Sequence, residues 1–368
     1  MTDFSSLFPL NVASKELLSA RALNGLLGHC SCYSAIWRHF LIIFPKHGKP
    51  LLKSQVWMDT LASSREIYTQ KFKKEQYAVS LMKARKDYQS SILTILGKAF
   101  LHTTGSFKSS ELDKILRILY FFLDDDSDLD YMNSIIFLIT RLYYQFDLES
   151  VQNRDKSPYS TLMDANFICH DICLCAQNLK DQLLSPFFKK GRTESMLKDF
   201  HKNHICFLIG QLDSASTERP PVEQILPIMN LYSTLFVTIT QRKDINSVWS
   251  IIFSRFPDPT ILHYFYAFAF LHTKQAVPEK VVPMSTFGVE IGKLLRPFDD
   301  NTEKNELLKA SQRIDELIKL LQEDDGIKNR EIVRNQATTI IQIARGTAHI
   351  EDLIPIPFIS EFLSQFIK

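Results

Sequence analysis

Apolar residues recur along this chain at spacings of three and four. Trp57, Leu61, Tyr68 and Phe72 form one such series, and Ile92, Ile95, Leu96 and Ala99 a second. Ile115, Leu119 and Phe122 form a third, and Ile135, Ile139, Leu142 and Phe146 a fourth. Such spacing stacks side chains on one face of a helix, so each series predicts one apolar stripe. No convincing strand alternation stands beside them. The segment "EKVVPMSTFGVEIG" (279–292) is the weakest helical stretch and reads as irregular or briefly extended. Polar breaks, most of them bearing Pro or Gly, fall at 45–50, 102–110, 124–128, 153–158, 214–221 and 255–259. No repeat of constant period appears, which disfavours a helical solenoid. From residue 302, Leu307, Ala310, Ile314, Leu317 and Leu321 follow a/d heptad spacing over two heptads. That length predicts a helix packed on a domain rather than a free coiled coil. The expected fold class is all-α.

Composition sharpens this picture. The chain has 368 residues, enough for one large domain or two ordinary ones. Its 11 Gly favour helices over tight hairpins, and its 27 Phe and 12 Tyr predict bulky aromatic packing. A net charge of +2, with no Lys/Arg stripe, gives no field for nucleic acid. The start "MTDFSSLFPL" lacks the basic region of a secretory leader. The longest aromatic–aliphatic run, "ILHYFYAFAFLH" (261–272), is far short of the roughly 20 residues a membrane span needs. These features predict a cytoplasmic protein whose six cysteines are reduced thiols.

The stretch "DDDSDLDYMNSIIF" (124–137) is the first candidate for chemistry. A helix–loop–helix calcium site needs Gly at its sixth position and Glu at its twelfth, and here those are Leu129 and Ile135. The aspartates therefore read as a solvated loop with an Asp capping the following helix. The Cys/His content comes in three groups: His29, Cys30 and Cys32; Cys169, His170, Cys173 and Cys175; His204 and Cys206. Cys169 and Cys173 lie in an apolar helical run, where cysteines behave as small core residues. No nucleophile elbow, phosphate-cradling glycine loop, H-E-x-x-H or dinucleotide fingerprint occurs. No metal and no cofactor is expected.

The order of short motifs says more. "ARALNGLLGHCSCYSAIWRHFLIIFP" (20–45) resembles the opening of a TBC domain, the Rab GTPase-activating fold, with Trp37 in the helix that follows a Gly-bearing turn. "QVWMDTLASSREIYTQKFK" (55–73) is similar to the next helix, with Trp57, Arg65 and Tyr68. The family's paired loops read I-x-x-D-x-x-R-T-F and Y-x-Q-G. The first falls on "ILTILGKAF" (92–100), where Ile92 and Phe100 match, Ile95 stands for the Asp and Lys98 for the Arg. The second falls on "YMNS" (131–134), where Tyr131 matches, Asn133 stands for the Gln and Ser134 for the Gly. "LMDANFICHDIC" (162–173) is similar to a further family helix. The segment 245–277 is similar to the late V/L-W-D-x-x-F motif, keeping Trp249 and Phe253, with Ser250 for the Asp. The resemblance covers roughly residues 20 to 280 and is nearest to the family's divergent, long-insert subgroup.

The resemblance implies an N-terminal segment (1–19) and a two-lobed helical domain (20–285), with lobes of about 20–180 and 181–285. It leaves 286–368 as a C-terminal helical extension. It implies a GTP-bound Rab-type small GTPase as partner and a part in membrane traffic. Recruitment to endomembranes would then come through partners. Lys98 and Asn133 take the catalytic positions, and Ile95, Tyr131 and Ser134 take GTPase-binding positions. In active members the Arg stabilises charge on the transferring phosphoryl group, and the Gln orients the attacking water. An arginine finger is worth ~10³–10⁵ in rate. Lys98 keeps a charge but loses the planar fork, and Asn133 is one methylene short. Ile95 cannot orient a cation, and Ser134 lacks the freedom of Gly. GTPase activation is therefore expected to be weak or absent.

The residues also carry a plainer reading. Ile95 lies on the apolar stripe, which leaves Lys98 on the polar side of a core helix. Asn133 or Ser134 would cap the next helix. Trp37, Trp57 and Trp249 read as core, and Arg65 and Tyr68 as structural. Two rival functions stand beside the first: a helical scaffold or adaptor acting through 302–368, and a HEAT-like helical array.

Overall fold

A computed structural model describes residues 4–8, 11–27, 30–49, 51–84, 86–103, 109–123, 129–152, 159–188 and 193–295. The aspartate run at 124–128, His29 and the heptad stretch from 302 lie outside the described residues. The fold is mostly helical, in agreement with the all-α expectation. Its elements begin with α1 (Phe4–Leu7), β1 (Val12–Ser14), α2 (Lys15–Leu23) and α3 (Tyr33–Arg38). A wide turn over His39–Ile43 carries α3 into α4 (Phe44–His47). Then come β2 (Leu51–Lys53), α5 (Ser54–Ala84), α6 (Lys86–Thr103), α7 (Ser109–Leu119) and α8 (Leu129–Gln152). The second half holds α9 (Tyr159–Leu162), α10 (Ile168–Asn178), α11 (Glu194–Phe200), α12 (Phe207–Leu212) and α13 (Ile225–Ser233). It closes with α14 (Ile245–Ser254), α15 (Thr260–Thr273) and α16 (Met284–Leu295).

Among the described residues the one sheet is a two-stranded antiparallel pair, β1 with β2, in which Ala13 lies opposite Leu52. Ser14 ends β1 and caps α2, its hydroxyl accepting from Leu17 N–H at 3.2 Å. Gly48 ends α4 in the left-handed region (φ 63°), where a missing Cβ removes the steric cost.

All four apolar stripes face inward. Trp57, Leu61, Tyr68 and Phe72 on α5 are buried, as are Ile92, Ile95, Leu96 and Ala99 on α6. On α8, Ile135, Ile139, Leu142 and Phe146 are wholly enclosed. This is why α8 serves as the central post: α6, α7, α10 and α13 all pack on it. The 279–292 stretch differs in part from its reading. Val282 forms a lone parallel bridge to Thr240, but α16 starts two residues later. Met284, Phe287 and Ile291 are buried there at helical spacing, and that burial outweighs a sparse helical signal.

The chain divides into two compact units. The first comprises residues 1–7 and 12–291, and the second 8–11 and 292–368. β1 and all of α2 belong to the first unit. The first unit runs on across residue 180. In the second unit, Asn11 N–H donates to the Phe8 carbonyl at 3.1 Å. Among the described residues no helix is long and apolar enough to cross a membrane.

Candidate functional site

Two parts of the first unit carry the polar residues singled out by the sequence. One is the junction around α3. Trp37 is fully buried and makes ring contacts with Trp249 (centroids 5.6 Å apart) and Phe253 (5.5 Å, edge-on). Its indole N–H donates to Ser250 Oγ at 2.9 Å. Residues from the first and last motif segments, more than two hundred positions apart, thus meet in one cluster. Trp57 and Trp249 are equally buried, and their indoles donate to the carbonyls of Leu52 (2.8 Å) and Leu235 (3.1 Å). All three tryptophans are core residues, as expected.

The residue after Trp37 begins an ionic network. Asp171 on α10 accepts from Arg38 Nε at 2.7 Å and from Arg65 Nε and Nη2 at 2.9 and 2.8 Å. Arg65 also donates to the Thr161 and Leu162 carbonyls. Arg38 and Asp171 are fully enclosed. Burial alone would raise the Asp171 carboxyl, but the two guanidiniums outweigh it and hold it below the usual carboxylate range. Arg38 also lies over the Phe146 ring at 4.1 Å. Arg65 is structural, as the plainer reading of the sequence had it.

The N-terminal end of α3 is tied down as well. Glu149 of α8 accepts from the backbone N–H groups of Tyr33 and Ser34, both at 2.7 Å. Gln145 Nε2 donates to the same carboxylate at 2.5 Å, and Asn246 Nδ2 donates to Gln145 Oε1 at 2.7 Å. Arg141 continues the chain to Asn246 Oδ1 and to the Thr103 carbonyl. Burial pushes Glu149 up to about 7, despite these donors. Sequence reasoning missed Glu149 and Asp171. For Asp171 the available signal was a lone acid within an otherwise apolar helical run; Glu149, in "QFDLESVQ", carried no such signal.

The second part is the face of α6 and α8, and here the sequence expectations need correction. Both candidate segments are helical. Residues 92–100 lie inside α6 and 131–134 in the first turns of α8, so neither is a loop. The apolar stripe decides this, because a helix that buries Ile92, Leu96, Ala99 and Phe100 holds everything between them in register. Ile95 is buried and offers no side chain to a partner. Ser134 is buried too. Its Oγ donates to the Asp130 carbonyl at 2.9 Å and lies 2.5 Å from Ser233 Oγ of α13. Neither Asn133 nor Ser134 caps α8, since the helix already begins at Leu129. Tyr131 is half-buried, its ring edge-on to Phe188 at 5.0 Å.

Lys98 and Asn133 remain accessible, the first exposed and the second half-buried. Among the described residues neither side chain has an ion pair or hydrogen bond. Their helices pack on one another. His102 and Phe137, each one turn further along from Lys98 and Asn133, have ring centroids 5.7 Å apart. Exposed apolar residues flank both: Leu101 follows Lys98 by one turn, Leu129 precedes Asn133 by one turn, and each is 61% exposed.

Of the two cysteines read as core residues, Cys173 is buried on α10, whereas Cys169 is half-buried, its thiol pushed up to about 11 by burial; Cys175 is buried as well. Among the described residues no cluster of three His, Cys, Asp or Glu side chains is arranged to hold a metal ion. No family model, curated protein or solved structure matches the chain.

Proposed function

We propose that this chain is a TBC-like helical protein that binds a GTP-loaded Rab-type small GTPase and regulates membrane traffic, with GTPase activation weak or lost. The reading places it in the cytoplasm, recruited to endomembranes by its GTPase. The observation that carries it is the contact of His102 with Phe137, which sets the two candidate segments on adjoining helices with Lys98 and Asn133 accessible. The exposed Leu101 and Leu129 beside them suit a protein partner better than a small molecule.

The same geometry argues for feeble catalysis. A finger has to reach into the partner's nucleotide site. Lys98 stands on a helix whose backbone is fixed by its own hydrogen bonds, so its reach is that of one side chain. Its ammonium offers no bidentate fork to phosphoryl oxygens. Asn133 is shorter than Gln, and a misplacement of about 1 Å can cost ~10²-fold.

A single-turnover GTP hydrolysis assay across a panel of Rab proteins tests this reading, with Lys98→Ala and Asn133→Ala beside the parent. Stimulation should be slight for the parent and lower still for the variants. Strong stimulation that survives both substitutions would refute the assignment of these two residues.

A further inference from the structure

The segment leading into α3 holds two thiols that the proposed function does not use. Cys30 Sγ and Cys32 Sγ lie 3.5 Å apart, and the Cys32 backbone N–H donates to Cys30 Sγ at 3.3 Å. Cys30 is half-buried, whereas Cys32 is 1% exposed. One sulfur can therefore meet a reagent while the other sits behind it in van der Waals contact. That is the arrangement of an attacking thiol and a resolving thiol. We infer that Cys30 and Cys32 form a reversible thiol–disulfide site, oxidised by small disulfides of the glutathione class.

The chemistry balances without a metal or a further oxidant. The Cys30 thiolate attacks one sulfur of the small disulfide. That S–S bond breaks, one thiolate leaves and takes up a proton, and Cys30 carries the mixed disulfide. The Cys32 thiolate then attacks Cys30 Sγ, the mixed bond breaks, and the second small thiol leaves. The two cysteines lose two hydrogens and the small disulfide gains them. A disulfide spanning one intervening residue closes a small ring, which is strained and returns readily to the dithiol. The site adjoins the backbone N–H groups of Tyr33 and Ser34 that Glu149 holds. Closing the pair therefore acts directly on the start of α3.

Other thiols in the chain serve as controls. Cys175 is buried, and burial raises the thiols of Cys169, Cys175 and Cys206. A raised thiol holds less thiolate and attacks more slowly at neutral pH.

The test uses the full chain incubated with oxidised glutathione, quenched, unfolded, digested with trypsin and read by mass spectrometry. The peptide between Arg21 and Arg38 contains Cys30 and Cys32 and no other cysteine. It should appear two hydrogens lighter and free of glutathione, and dithiothreitol should restore its mass. In Cys32→Ser the same peptide should retain one glutathione on Cys30, because the resolving thiol is gone. A parent peptide that stays reduced overturns the inference, as does one that keeps glutathione or links Cys30 to a distant cysteine. The parent alone decides the matter if the variant does not fold.

Discussion

The junction around α3 and the face of α6 and α8 are built from similar residue types and put them to opposite uses. At the junction, Arg38, Arg65, Asp171 and Glu149 are buried, and every carboxylate oxygen meets a donor. On the α6/α8 face, Lys98 and Asn133 point outward with no partner among the described residues. Buried charges that are paired hold elements together, and removing one partner strands the other at high cost. Accessible polar groups with nothing to hold contribute little to stability and remain available for binding. A polar residue in a motif therefore says little about function until its surroundings are known.

The largest effect expected is at Asp171. Among the described residues Asp171 is the only acceptor for Arg38, so Asp171→Ala leaves a fully enclosed guanidinium unpaired. The expected loss is about 3–5 kcal/mol in urea unfolding. A loss below about 1 kcal/mol would mean that the network does not hold α3, α5 and α10 together.

Glu149 sharpens the comparison through pH. Its carboxyl rises from 4.5 in the ordinary state to about 7 in the folded one. The folded chain thus holds a proton that the unfolded chain has released between these values. Stability should fall as pH rises from 4.5 to about 7, by about 3 kcal/mol in all. Asp171 has the opposite sign: its stabilisation is present above the ordinary carboxylate range and is lost as pH falls through it. Glu149→Gln should remove the first slope and leave the second. If thermal unfolding of parent and variant tracked each other from pH 4.5 to 8, the account of Glu149 would be wrong.

Trp37→Phe should cost about 1–3 kcal/mol through lost volume and the lost indole hydrogen bond to Ser250, whose hydroxyl keeps its bond to the Asn246 carbonyl. The smallest effect on stability belongs to Lys98→Ala and Asn133→Ala, within about 0.5 kcal/mol. A larger loss at either would move that residue from the binding face into the fold.

The stripes on α5, α6, α7 and α8 were legible in the sequence because burial on a helix leaves a period of three and four. The tryptophans were legible for the same reason. The networks were not, because Asp171 finds its donors on α3 and α5 and Glu149 finds two of its own on α3, and nothing local specifies those distant partners. A charged residue inside an apolar run, as in "IWRHF" or "CHDIC", was the signal available. The resemblance put loops at both candidate segments, whereas the apolar spacing of Ile92, Ile95, Leu96 and Ala99 predicted a helix for the first, and a helix is what forms. Of the positions the resemblance gave to GTPase binding, Ile95 and Ser134 are buried packing residues, and the stripe had already put Ile95 in the core.

The central claim is that the α6/α8 face engages a GTPase in its GTP state. The direct measurement is a fluorescence-polarisation titration of the chain against Rab proteins loaded with a non-hydrolysable GTP analogue or with GDP, using the parent and Lys98→Glu. At least one GTP-form Rab should bind more tightly than its GDP form, and Lys98→Glu should weaken that binding by about tenfold or more, about 1.4 kcal/mol. Absence of binding across the panel, or binding that ignores both nucleotide and Lys98, would contradict the account.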